Sequence, residues 1–104
     1  MSPEGMVGLR ATIDDVRMVL RSLSGDEWAA PSAATGWSVK YVATHMADLL
    51  SILMSAVRGE LDTDLGIEWL NDVHATERAD WTPDDVLEDF TRQSAEALSV
   101  FDTL

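Results

Sequence analysis

His45 and Asp48 stand three residues apart, and so do His74 and Glu77. On a helix that spacing makes the two side chains surface neighbours. A carboxylate beside an imidazole can fix its tautomer and orient it, as carboxylates do behind metal-bound histidines. His45 is the more suggestive of the two, because it shares a predicted inner face with Val42, Leu49 and Ile52. A lone histidine on such a face is more often a hydrogen-bonded core residue than a ligand. Asp48 is then either the group that orients His45 or an ordinary surface acid. His74 sits among Asn71, Asp72, Thr76 and Arg78, and these polar neighbours predict an exposed, structurally neutral residue.

The other chemistries are thinly supplied. The chain has two histidines and no cysteine, so a three-ligand metal site would need carboxylates. Neither His-x-x-x-His nor Glu-x-x-x-His occurs, and there is no Gly-x-Ser-x-Gly or glycine-rich phosphate loop. The four tryptophans, Trp28, Trp37, Trp69 and Trp81, fall near predicted helix starts or loops. The simple expectation is that each anchors a loop on the core. Trp37, just ahead of the His45 helix, is the best candidate for the wall of a ligand cleft.

Helical periodicity positions these residues, and no strand-type alternation competes with it. A first helix is predicted from about Val7 to Leu23, with Met6, Leu9, Ile13, Val16, Leu20 and Leu23 along one stripe. Ser24 followed by Glu27 reads as a capping box that opens a short turn around Trp28. Pro31 and Gly36 punctuate a loop, and Ser38 can cap a second helix running to about Arg58, stopped by Gly59. Its inner face is predicted as Val42, His45/Met46, Leu49, Ile52/Leu53 and Ala56. A helical piece around Ile67 to Ala75 follows an acidic loop. Thr82, Pro83, Asp84 and Asp85 then open a last helix with the stripe Val86/Leu87, Phe90, Ser94, Ala97/Leu98, Phe101 and Leu104. The apolar end of that helix, Leu98, Phe101 and Leu104, needs covering, which predicts self-association as a homodimer.

At 104 residues the chain reads as a single domain over 1–104. Its net charge of −12 is uneven, since residues 59–104 hold 13 acids against Arg78 and Arg92. Such a surface repels phosphate backbones and anionic lipid, which argues against nucleic-acid and membrane partners. No signal peptide or membrane span is evident, and the cysteine-free composition fits the cytoplasm.

One stretch resembles a known family. Leu23-Ser24-Gly25-Asp26-Glu27-Trp28, then Pro31-Ser32, then Gly36-Trp37-Ser38-Val39-Lys40-Tyr41-Val42-Ala43-Thr44-His45-Met46-Ala47-Asp48 is similar to the N-terminal metal-binding domain of mycothiol-dependent maleylpyruvate isomerases, within the DinB-like superfamily. The match is strongest over residues 20–50, with Met46 where the family has leucine. The resemblance implies an all-α, antiparallel four-helix bundle with zinc or another divalent metal between helices and a mycothiol-like thiol as cofactor. It assigns His45 as the first metal ligand. The family's remaining ligands, a glutamate and a histidine four apart on a later helix, have no counterpart here, so the last helix of the bundle is expected to be lacking within this chain. The expectation is therefore a DinB-like domain with an incomplete or vestigial metal site. The alternatives are a metal-dependent isomerase or transferase using a low-molecular-weight thiol, and a helical interaction module. A small-molecule ligand remains compatible with each.

Overall fold

The computed structural model describes residues 2–60 and 73–104. Five helical elements occur among them: α1 (Pro3–Ser22), α2 (Gly25–Ala29), α3 (Val39–Val57), α4 (helical at 73–77) and α5 (Pro83–Asp102). The described residues form an all-α helical bundle whose three long members are α1, α3 and α5. The expected helix over Ile67–Ala75 lies mostly outside the described residues.

Local chemistry sets the boundaries. α1 starts earlier than periodicity alone predicts, because Ser2 caps it by accepting from the Gly5 N–H at 3.0 Å and Pro3 fits the first turn. Both capping boxes form: Ser24 with Glu27 opens α2, and Thr82 with Asp85 opens α5. Ser38 caps α3 by accepting from the Tyr41 N–H at 3.1 Å. α3 ends where Gly59 takes a φ of +72°, in the left-handed region that favours glycine.

α5 is the central helix, packing on both α3 and α1, while α1 and α3 do not pack extensively on one another. The core joins Ile13 and Leu20 of α1, Trp28 of α2, Ala43 and Ala47 of α3, and Val86 and Phe90 of α5. The stripes predicted for α1 and α5 are largely those observed.

α3 differs. Its buried residues are Ala43, Thr44, Ala47, Asp48, Ile52 and Met54, while Leu49 and Leu53, predicted to face inward, are 40% and 45% exposed. Ala56 is exposed as well, and His45 is only half-buried. Ile52 and Met46 of the predicted inner face do reach the core, but the buried face is centred on Ala43 and Ala47, well round the helix from Leu49 and Leu53. Both faces of α3 are apolar enough to satisfy the helical pattern. The face bearing Ala43 and Ala47 admits close approach of α5, since small side chains shorten the distance between axes.

The end of α5 is also better covered than expected. Leu98 packs against the core and Phe101 is half-buried, leaving Leu104 at 67% exposure. No helix among the described residues is long and apolar enough to cross a membrane.

Candidate functional site

The loop between α2 and α3 presents Trp37. The Ser32 N–H donates to the Trp37 carbonyl and the Val39 N–H to the Ala30 carbonyl, both at 2.9 Å, closing the loop around an isolated antiparallel bridge between Pro31 and Ser38. Gly36 makes the turn with φ +84°. Trp37 is thereby laid over the start of α3, with its ring centroid 4.9 Å from His45 in an edge contact and 4.6 Å from Tyr41. It is 36% exposed, so it forms an aromatic wall rather than a core anchor. Trp28 meets the anchoring expectation at 5% exposure, and Trp81 packs partly buried against the core. Trp69 lies outside the described residues.

Asp48 pairs not with His45 but with residues 74 and 78. Its side chain is 3% exposed, and its Oδ1 lies 2.5 Å from Nδ1 of His74 and 3.3 Å from an Arg78 terminal nitrogen. His74 is consequently not the exposed, neutral residue expected from its polar neighbours: it is 28% exposed and bonded to a buried carboxylate. With Nδ1 engaged by Asp48, the imidazole's other nitrogen is the one left for further contacts.

Arg78 extends the cluster to α5. Its Nε lies 3.9 Å from Oδ2 of Asp89, a second buried carboxylate, and its guanidinium covers the Trp81 ring at 5.0 Å. Asp89 also accepts from Arg92 at 2.8 Å and Gln93 at 3.3 Å. Two carboxylates on different helices are thus bridged by one arginine, which ties α3 to α5 through the segment after α4. Burial of these acids is sustained by Arg78 together with His74 at Asp48 and with Arg92 and Gln93 at Asp89. The sequence leaves Asp48 either as the group that orients His45 or as an ordinary surface acid, and its spacing offers no reading of Asp89. The available signal was scarcity: residues 59–104 contain only two bases, Arg78 and Arg92, and both lie at Asp89.

Beside this cluster, between the start of α3 and residues 75–79, is a cleft of about 480 Å³. Lys40, Tyr41, Thr44 and Arg78 are among its lining residues. Lys40 donates one hydrogen bond, to the Ala79 carbonyl at 3.1 Å, and an ammonium has three N–H groups to give. In a chain with seven Lys and Arg residues, two of them line this one cleft.

The described residues do not fit a metal's ligand set. No three His, Asp or Glu side chains are gathered there in a way that could hold an ion. The ring beside His45 is an indole, and the nearest predicted helper, Asp48, is committed to His74 and Arg78.

Comparison with known proteins adds a family. The model of the mycothiol maleylpyruvate isomerase N-terminal domain matches residues 9–104. No curated protein matches the chain. No solved structure matches it.

Proposed function

The chain belongs to the mycothiol maleylpyruvate isomerase N-terminal domain family, and from that premise we propose that it is a DinB-like helical domain whose divalent-metal site at His45 is incomplete. The observation that carries this reading is the diversion of Asp48. The carboxylate that could stand behind His45 is spent on His74 and Arg78, and the His45 ring is left against Trp37. His45 then acts as an aromatic packing partner at the start of α3, and the buried polar cluster holds the bundle together. A cytoplasmic location fits the cysteine-free composition.

Metal analysis tests the reading. Purified protein exposed to zinc and then exchanged into metal-free buffer is expected to retain well under one equivalent, unchanged by His45→Ala. One equivalent of zinc that is lost in His45→Ala would overturn it. That outcome would favour a metal- and low-molecular-weight-thiol-dependent isomerase or transferase, with His45 as a ligand.

A second reading is supported by the Lys40 and Arg78 cleft, which suits a small molecule carrying negative charge. Titration with inorganic phosphate or acetate, followed by NMR, should shift the Lys40 and Tyr41 amides in the parent and not in Lys40→Ala. Unmoved amides in the parent would remove this reading.

A further inference from the structure

Four buried side-chain nitrogen and oxygen atoms lack a hydrogen-bond partner among the described residues. Asp48 Oδ2 and Arg78 Nε belong to the polar cluster that joins α3 to α5. Arg17 Nε and Ser94 Oγ do not, yet they share a location. Both residues line one depression of about 360 Å³ between α1 and α5. Ser94 is 1% exposed, so bulk water does not readily serve its hydroxyl. An N–H and an O–H buried without an acceptor are costly to the fold.

The groups around them do not supply that acceptor. Asp14 stands 3.8 Å from a terminal nitrogen of Arg17, beyond hydrogen-bond reach, and its side chain is 58% exposed. The Thr91 hydroxyl is spent on the Leu87 carbonyl at 2.8 Å. Arg10, about two helical turns before Arg17, lines the same depression, is exposed, and has no ion pair among the described residues. Two donors backed by two guanidiniums call for an oxygen anion. Asp14 and Asp102 also line the depression, and they oppose a doubly charged phosphate more than a singly charged carboxylate. Ile13 and Leu98 give it apolar walls that suit a hydrocarbon tail.

We propose that this depression binds a short aliphatic monocarboxylate, whose oxygens accept from the Arg17 Nε–H and the Ser94 hydroxyl while its tail lies against Ile13 and Leu98. The site shares no lining residue with the Lys40 and Arg78 cleft and does not involve His45. It is therefore independent of both readings of function, and each can fail without the others.

Titration of the whole chain with butyrate, acetate and inorganic phosphate, followed by NMR, tests it. The reporters are the Arg17 Nε–H and the Ser94 amide, which separate this site from the cleft read at Lys40 and Tyr41. Butyrate is expected to shift both reporters and to bind several-fold more tightly than acetate, with phosphate weakest. Ser94→Ala removes only the hydroxyl, is expected to fold at least as well as the parent, and should weaken butyrate binding about tenfold. Arg17→Lys keeps the charge but loses the Nε–H, and should weaken it by a similar factor at the Ser94 amide. Reporters that stay still at the highest butyrate concentration overturn the proposal. So does binding that both substitutions leave unchanged, or phosphate binding tighter than butyrate.

Discussion

Oδ1 of Asp48 and Nδ1 of His74 lie 2.5 Å apart across 26 residues of chain, and Arg78 closes on the same carboxylate oxygen at 3.3 Å. Removing the carboxylate with Asp48→Ala takes from His74 its hydrogen-bond partner and from Arg78 the nearer of its two carboxylates, leaving Asp89 at 3.9 Å. The expected cost is about 3 kcal/mol, the scale for breaking a buried pair from one side. His74→Ala, at a partly exposed ring, is expected to cost about 1 kcal/mol. Urea denaturation of the two single variants and the double variant measures the coupling; additive losses would show that the contact contributes nothing of its own.

Glu27 gives the acid dependence a specific source. Hydrogen bonds from the backbone and side chain of Ser24 hold its carboxyl below the ordinary value of 4.5. A carboxyl depressed in the folded state contributes stability that is present above the unfolded value and fades as pH falls through the folded one. The urea midpoint of the parent should therefore drop between about pH 5 and pH 3 more steeply than that of Glu27→Gln. Parallel curves would contradict the assignment.

Two glycines should respond in opposite directions to alanine. Gly36, at φ +84°, turns the chain into Trp37, and Gly36→Ala is expected to cost about 1 kcal/mol from backbone strain. Gly8 lies inside α1, and a Cβ built there meets nothing within 4 Å, so Gly8→Ala is expected to gain about 0.5–1 kcal/mol. Thermal melts of the two variants separate the effects by sign.

The orientation of α3 can be read from stability alone. Ala47 is fully buried in the cluster with Val86 and Phe90, so Ala47→Leu should overpack it at a cost of about 1–3 kcal/mol. Leu53→Ser, measured in dilute solution, should stay within about 0.5 kcal/mol. The reverse order of costs would restore the inner face that periodicity alone suggests.

Ser94 is 1% exposed, and its hydroxyl has no hydrogen-bond partner among the described residues. Ser94→Ala removes an unsatisfied polar group and improves helix propensity, so a gain of up to about 1 kcal/mol is expected in the urea midpoint. A loss would show that the hydroxyl is bonded in solution.

What the sequence determined by itself was local in origin. The capping boxes at Ser24 and Thr82, the Ser38 cap and the glycine stop after α3 each depend on residues within one turn, so their signals lie side by side in the chain. The stretch from Leu23 to Asp48 likewise carried the family relationship that the match over 9–104 establishes. Only the tertiary structure decided which side of α3 is inside, because an apolar pattern on both faces satisfies the same periodicity and packing against α5 chooses the one with alanines. It also decided the partner of Asp48. The chain places Asp48 within one helical turn of His45, yet the fold turns it toward His74 and Arg78, because a buried carboxylate requires donors and cations wherever the packed helices bring them.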